Sequence, residues 1–185
     1  MVITAGSYEL GSGTGTLWVR TRKAGAAARA GHDLLIEVTS WSATLEVGAV
    51  GAQTRIELAA DGRSLEVREG TGGMTSLGNQ EKASIKRTID KQVLKGVSIV
   101  FRSSAVDGDW NPAGDTRLGV SGALELAGRH RPIAFDLTVG VDGRITGAVV
   151  LKQSSWGIKP YSALFGALRV LDDVTVEVRA ELPSG

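Results

Sequence analysis

The sequence predicts an all-β fold: a single antiparallel β-barrel of about eight strands, with one α-helix between strands. Three observations point there. Apolar and polar residues alternate over run after run, the period of a strand whose two faces meet different surroundings. Short pairs ending in Gly (Asp61-Gly62, Ala127-Gly128 and Asp142-Gly143) separate consecutive runs, as hairpin turns do. The stretch after Asn79 carries a helical spacing instead. Parallel neighbours would need crossovers of about a dozen residues, so short turns imply an antiparallel meander. Closing that meander removes the free edges that invite aggregation.

Taken in order, the segment 11–15 (GSGTG) reads as a flexible lead into a first strand at 17–22. Its glycines superficially resemble a phosphate-cradling loop. The spacing is not G-x-G-x-x-G, however, and the pattern indicates no strand before it and no helix after it. Weaker strands read at 34–47, 55–59, 64–68 and 97–103. Between the last two, Asn79 is placed to cap a helix from Gln80 to about Leu94. Ile85, Ile89 and Val93 fall at i, i+4 and i+8, and Gly96 stands where a left-handed residue ends a helix. The narrow stripe predicts a helix lying on the sheet with most of its surface wet.

The stretch 107–115 reads as a long surface turn. It opens like a calcium loop with Asp107, Asp109 and Asn111, but Pro112 holds the sixth position, where Gly is needed, and Leu118 the twelfth, where Glu belongs. The clearest strands follow. Val120, Gly122, Leu124 and Leu126 share one face, then Ile133, Phe135, Leu137, Val139 and Val141, then Ile145, Gly147, Val149 and Leu151. Val174, Val176, Val178, Ala180 and Leu182 close the chain in the same way. The segment 161–169 (YSALFGALR) reads as a second short helix or a packed loop.

Composition narrows the function. The 185 residues, 42% hydrophobic and 22% charged, suit one domain over 1–185 that buries a real core. A net charge of +1 lacks the basic excess of a nucleic-acid footprint, so no nucleic-acid partner is expected. No run of about 18 apolar residues is free of charge, which argues against a transmembrane segment. With no Cys, disulfides, thiolate chemistry and Cys-type zinc sites are all excluded. The opening MVITAGSYEL has neither a basic nor an apolar leader region, so the expected location is cytoplasmic.

Catalytic signals are sparse. The two histidines, His32 and His130, are far apart and have no carboxylates at ligand spacing, so neither a metal nor a cofactor is expected. Gly119-Val120-Ser121-Gly122 lacks the spacing of a nucleophile elbow. His32-Asp33 is the one adjacent acid–base pair, yet neighbours on a strand point to opposite faces; a turn histidine bonded to backbone is the simpler reading. His130, between Arg129 and Arg131, reads as solvent-facing in a hairpin turn. What remains is aromatic. Trp18, Trp41, Phe101, Phe135, Trp156, Tyr161 and Phe165 flank or occupy strands, where they either fill a core or line a cavity for an apolar ligand. Periodicity does not separate a filled barrel from a hollow one.

A series of local strings adds to this. Ser7-Tyr8-Glu9-Leu10 precedes the first strand, and Gly31-His32-Asp33-Leu34 starts the next long one. After the helix come VSIVFRSS at 97–104, LELAGRHRPI at 124–133, SSWGI at 154–158 and a closing D-x-V-x-V-x-V strand from Asp172. In this order, over nearly the whole chain, the strings resemble the YceI family of lipocalin-like barrels. VSIVFRSS is similar to that family's P-x-I-x-F-x-S strand, and SSWGI to its S-x-F-G-I string with Trp156 in the aromatic place. The family's D-x-x-H-S stretch is missing, and 11–14 stands in its position.

The resemblance implies a lipocalin-like barrel that binds or carries a long apolar or amphiphilic lipid, a polyisoprenoid or an isoprenoid quinone precursor. Trp18, Phe101, Phe135, Trp156, Tyr161 and Phe165 are the expected tunnel or mouth contacts, since Trp and Tyr suit a mouth where one end stays wet. Lys152, Lys159 or Arg169 is placed to meet an anionic headgroup. Edges near a barrel mouth are compatible with a homodimer. Two other readings stay open: a barrel enzyme of unknown reaction using His32 and Asp33, and a ligand-free, stress-related structural module with a filled interior.

Overall fold

In a computed structural model, which describes residues 4–111 and 113–183, the chain forms fourteen strands and one α-helix. The order is β1 (Gly6–Gly11), β2 (Gly15–Thr21), β3 (Lys23–Ala24), β4 (Asp33–Val38), β5 (Trp41–Val47), β6 (Arg55–Asp61), β7 (Leu65–Thr71) and α1 (Asn79–Thr88). Then follow β8 (Ser98–Asp107), β9 (Thr116–Leu126), β10 (Arg129–Val139), β11 (Arg144–Lys152), β12 (Ser162–Ala163), β13 (Leu168–Val170) and β14 (Asp173–Glu181). Eleven strands make one antiparallel, strongly curled sheet in the order β1-β5-β6-β8-β9-β10-β11-β14-β2-β4-β7. The other three form a small sheet, β12-β13-β3.

The main sheet thus has eleven strands rather than about eight, and the surplus has a physical origin. Three long segments each break in two at a corner: β1 from β2 at 12–14, β4 from β5 at Thr39 and Ser40, and β6 from β7 at 62–64. The second and third segments run alongside each other throughout, with Trp41 facing Ala60 and Val38 facing Leu65. They bend together, held by Thr39 N–H donating to Ser64 O (2.9 Å) and Asp61 N–H to Ser40 O (3.0 Å). Asp61-Gly62 is therefore a corner within a continuous ribbon and not a hairpin turn. Gly is required there because a Cβ would lie 2.3 Å from Val97 O, and Asp61 Oδ1 accepts the Arg63 N–H at 2.8 Å. The loop 48–54 makes the actual reversal.

This ribbon also explains the curl. Its β4 half bonds β2, and its β5 half bonds β6, so the sheet turns back on itself through one bent strand. The expected closure is incomplete, because β1 pairs only β5 and β7 pairs only β4 among the described residues. The β7 edge is covered by α1, whose Lys82 Nζ donates to Arg68 O (2.7 Å) and whose Lys86 Nζ donates to Arg63 O (2.7 Å) and Leu65 O (3.2 Å). An edge satisfied in this way no longer offers a free hydrogen-bonding ladder.

Local chemistry accounts for the other elements. Ala127 and Gly128 both take positive φ, 51° and 71°, which a two-residue hairpin between right-twisted strands demands. Between β10 and β11, Gly140 N–H donates to Arg144 O (2.8 Å) and Gly143 has φ 82°. The helix begins at Asn79 with Gly78 as its capping residue, so Asn79 is a helical position and supplies no side-chain cap. It stays regular to Thr88, widens into a π turn over Ile89–Val93, and ends before Gly96 at φ 68°. The 161–169 segment is not a helix: it pairs as β12 and β13 around a single turn and packs on β3. A strand, β1, does precede the 11–15 glycines, contrary to the sequence reading.

The interior divides into two zones. Val106, Leu118, Val120 and Val139 are sealed to 1% exposure or less, in a packed core shared with Leu45, Val47 and Ile145. Inward-facing residues in the middle of β14 and β11, such as Val176, Val178 and Val149, stay only half-buried. A mid-strand residue on the concave face is left half-covered only where the atoms in front of it are missing.

Candidate functional site

The missing atoms are a cavity of about 480 Å³. Its walls come from alternate residues of the strands, which the pleat turns inward: Leu17 and Val19 on β2, Ile36 and Val38 on β4, Val149 and Leu151 on β11, and Val174, Val176 and Val178 on β14. The helical segment roofs it with Ile85, Ile89 and Val93, the stripe predicted from sequence. The sealed core residues Val106, Leu118, Val120 and Val139 line none of it. The molecule is packed in one half and hollow in the other.

Four of the six aromatics expected at a binding site line the cavity, and two do not. Phe101 (β8) and Phe135 (β10) meet across β9 with ring centroids 5.3 Å apart at 59°, the tilted geometry such pairs favour. Gly122 on the intervening strand makes this possible, since a Cβ there would lie 2.7 Å from the Phe101 ring. Trp156 is buried, and its indole N–H donates to Leu124 O at 3.3 Å. Tyr161 lines the cavity while remaining partly exposed. Trp18 is absent from the lining because Leu17, Val19 and Thr21 take the inward positions of β2. It shares the outer face with Arg20, which pairs with Glu177 at 2.8 Å. Phe165 projects fully into solvent.

Most of the polar groups of the cavity lie around the small sheet, with Ser84 and Thr88 contributed by α1. Thr21, Lys23, His32, Gln153, Tyr161 and Arg169 all line it there, near the β3–β13 pairing of Lys23 with Val170. Thr21 Oγ1 is buried without a hydrogen-bond partner among the described residues. Gln153 Nε2 donates to Leu171 O (2.9 Å), and Lys23 Nζ donates to Gly31 O (2.8 Å) and to Gly72 O. Of the three cations considered for an anionic headgroup, Arg169 lines the cavity, whereas Lys152 and Lys159 do not.

His32 and Asp33 do not act on each other. His32 Nε2–H donates to Thr75 O (2.6 Å), a carbonyl that only accepts, and Asp33 Oδ1 receives the Lys23 backbone N–H (2.8 Å). His32 lines the cavity and Asp33 does not. Each side chain is held by backbone, and no hydrogen bond joins the two. His130 is exposed, 3.8 Å from Glu125. No group of three or more His, Cys, Asp or Glu among the described residues has the arrangement of a metal site, and Pro112 of the 107–115 turn lies outside those residues.

Sequence reasoning singled out aromatics and missed that most of the wall is aliphatic. The signal was present in the parity of the predicted strands and in the helix stripe.

Comparison with known proteins places this geometry. No curated protein matches the chain. Among solved structures, it is similar to BcnA of Burkholderia cenocepacia, at 16% identity and a TM-score of 0.64, over 92% of this chain and 96% of that one. A polyisoprenoid binding domain from Saccharophagus degradans, implicated in plant cell wall breakdown, matches at 12% identity and a TM-score of 0.59, over 97% and 100% of the two chains. The Campylobacter jejuni YCEI protein matches at 14% and 0.53, over 81% and 85%. At such identities the likeness is one of fold. No helix among the described residues is long and apolar enough to cross a membrane. The profile of the YceI-like domain matches residues 37–182, and the chain belongs to that family.

Proposed function

We propose that the chain binds a long apolar or amphiphilic lipid of the polyisoprenoid class, with its hydrocarbon in the cavity and its polar end near Arg169, His32 and Thr21. The observation that carries this reading is the cavity: about 480 Å³, walled mainly by aliphatic and aromatic side chains, with most of its few polar groups around the small sheet. Small-molecule sites run from about 300 to 1,000 Å³ and combine apolar walls with a few polar groups. At about 30 Å³ per water-sized group, the space holds on the order of sixteen, roughly the hydrocarbon of a three-isoprene chain. Each buried methylene contributes about 0.8 kcal/mol, so such a chain offsets an association cost of about 4–15 kcal/mol.

Phe101, Phe135, Trp156 and Tyr161 are the contacts this reading assigns among the aromatics. The family assignment and the polyisoprenoid-binding relative from Saccharophagus degradans support the ligand class. The test is titration of the delipidated chain with N-phenyl-1-naphthylamine, followed by displacement with farnesol or geranylgeraniol. The expected result is blue-shifted emission at one probe per chain, reversed by the prenyl alcohols. Unchanged emission, or emission that the prenyl alcohols leave untouched, would overturn the reading.

A further inference from the structure

One of the two segments that build the small sheet, 157–171, also carries a group of exposed apolar side chains near the cavity. Phe165 is fully exposed, and Leu164, Tyr161 and Leu171 are each more than a third exposed. Leu164 and Phe165 hold φ of 51° and 54°, a left-handed conformation that side chains other than Gly, Asn and Asp rarely adopt. The turn is nonetheless pinned. Ala167 N–H donates to Leu164 O (3.1 Å), Ala27 N–H to Ala167 O (2.8 Å) and Val170 N–H to Tyr161 O (2.9 Å). Two large apolar side chains are thus held out into solvent on a turn braced from both sides.

Charge around this turn is one-sided. Residues 22–32 and 157–171 contain Arg22, Lys23, Arg29, Lys159 and Arg169 and no Asp or Glu, in a chain whose net charge is only +1. Lys23 is engaged by Gly31 O and Gly72 O. The other four are exposed and make no ion pair among the described residues. On the outer walls, by contrast, Arg20, Arg68, Arg102, Arg117 and Arg144 each face a carboxylate. Of the bordering carboxylates, Asp33 accepts from Lys23 N–H and Asp172 accepts from Ser154, while Asp173 is exposed on β14. Exposed apolar side chains within a ring of unpaired cations are what an anionic lipid surface complements, the former entering the headgroup layer and the latter meeting its charge.

We propose that this end of the molecule docks on an anionic lipid bilayer through Leu164 and Phe165, with Arg22, Arg29, Lys159 and Arg169 facing the headgroups. The same two segments line the polar end of the cavity, so docking brings that end against the membrane. The inference deepens the proposed lipid-binding function, but Leu164, Phe165, Arg22, Arg29 and Lys159 stand outside the cavity and do not depend on what fills it.

Vesicle flotation tests it, using phosphatidylcholine vesicles with and without about 30% phosphatidylglycerol. The full chain floats with the anionic vesicles, and about 0.5 M salt weakens the association. Asn tolerates the left-handed region, so Leu164→Asn with Phe165→Asn keeps the turn while removing its apolar surface. This double variant loses vesicle binding by about tenfold or more and binds N-phenyl-1-naphthylamine as the parent does. Arg29→Glu with Lys159→Glu also loses vesicle binding. No flotation of the parent, or equal flotation of the double Asn variant, would overturn the docking. So would light scattering that finds a parent dimer which the Asn variant converts to monomer, because a second copy would then cover the patch. Flotation by a chain that takes up no probe would support the docking and overturn the cavity assignment.

Discussion

Replacing Val176 by Phe asks whether the interior is hollow where the half-buried residues say it is. Val176 stands mid-strand on β14, between Val149 on β11 and Val19 on β2, and all three line the cavity. The larger side chain adds about 50 Å³, and at about 24 cal/mol per Å³ of void removed it stabilises the unliganded chain by about 1 kcal/mol. For a chain of this size that raises Tm by about 2–4 °C. In a filled interior the same ring would overpack and destabilise by about 1–3 kcal/mol. The two cases differ in sign, so a thermal melt of the delipidated protein separates them. Val176→Phe also takes about a tenth of the 480 Å³ from the middle of the wall, and N-phenyl-1-naphthylamine affinity falls by about tenfold through lost space and ordering. A lower Tm together with unchanged probe binding would refute the reasoning.

Three further outcomes follow from neighbouring contacts. Phe101→Ala removes a ring that packs on Phe135 but faces void on another side; its cost lies near the low end of such truncations, about 3 kcal/mol in urea unfolding, and its enlarged cavity favours longer prenyl chains in competition assays. Gly122→Ala would set a methyl 2.3 Å from Arg102 O and 2.7 Å from the Phe101 ring, so it destabilises by about 1–3 kcal/mol and displaces Phe101, visible in near-ultraviolet circular dichroism. The Asp172 carboxylate accepts Ser154 Oγ–H at 2.5 Å and Ser154 N–H at 2.7 Å. These two bonds, with the nearby Lys152 ammonium, hold its pKa below the ordinary 3.8. A depressed carboxylate contributes stability that is fully present above its ordinary value and disappears as pH falls through the lowered one. Asp172→Asn therefore lowers the urea midpoint at neutral pH, and the gap from the parent narrows as pH falls below 3.8; a difference that stays constant with falling pH would contradict this.

The legible parts of the fold were those where one local pattern decides the outcome. Val174, Val176, Val178 and Ala180 all face inward on β14, as strict alternation requires. The β9–β10 turn sits at Ala127 and Gly128 because both must take positive φ. Asp61-Gly62 shows where such reading runs out. The pair has hairpin chemistry, yet what surrounds it is a corner in two ribbons that bend together, and the partner of each flanking strand lies elsewhere in sequence. The 34–47 run also splits into β4 and β5 at a corner, and β1 is absent from the sequence reading, so the main sheet has more strands than expected.

The site was legible to the same degree. Phe101 and Phe135 reach the cavity from alternating strands, whose parity is visible in the sequence. Trp18 falls outside the cavity lining because Leu17 and Val19 claim the inward positions of its strand; residue type outweighed parity in selecting it. Phe165 belongs to a turn with no periodicity and a left-handed backbone, followed by β13, which pairs with β3 from far away in the chain. The division between packed and hollow halves depends on which side chains meet across the curled sheet, and no single strand records that.

The central claim, that the hollow half carries an apolar lipid, is tested most directly by native mass spectrometry of the purified chain, with organic extraction of whatever accompanies it. The account predicts a one-to-one adduct whose extracted mass is that of a prenyl lipid or an isoprenoid quinone precursor, and which Val176→Phe displaces. A bare chain mass that persists after incubation with vesicles containing prenyl lipids would contradict it.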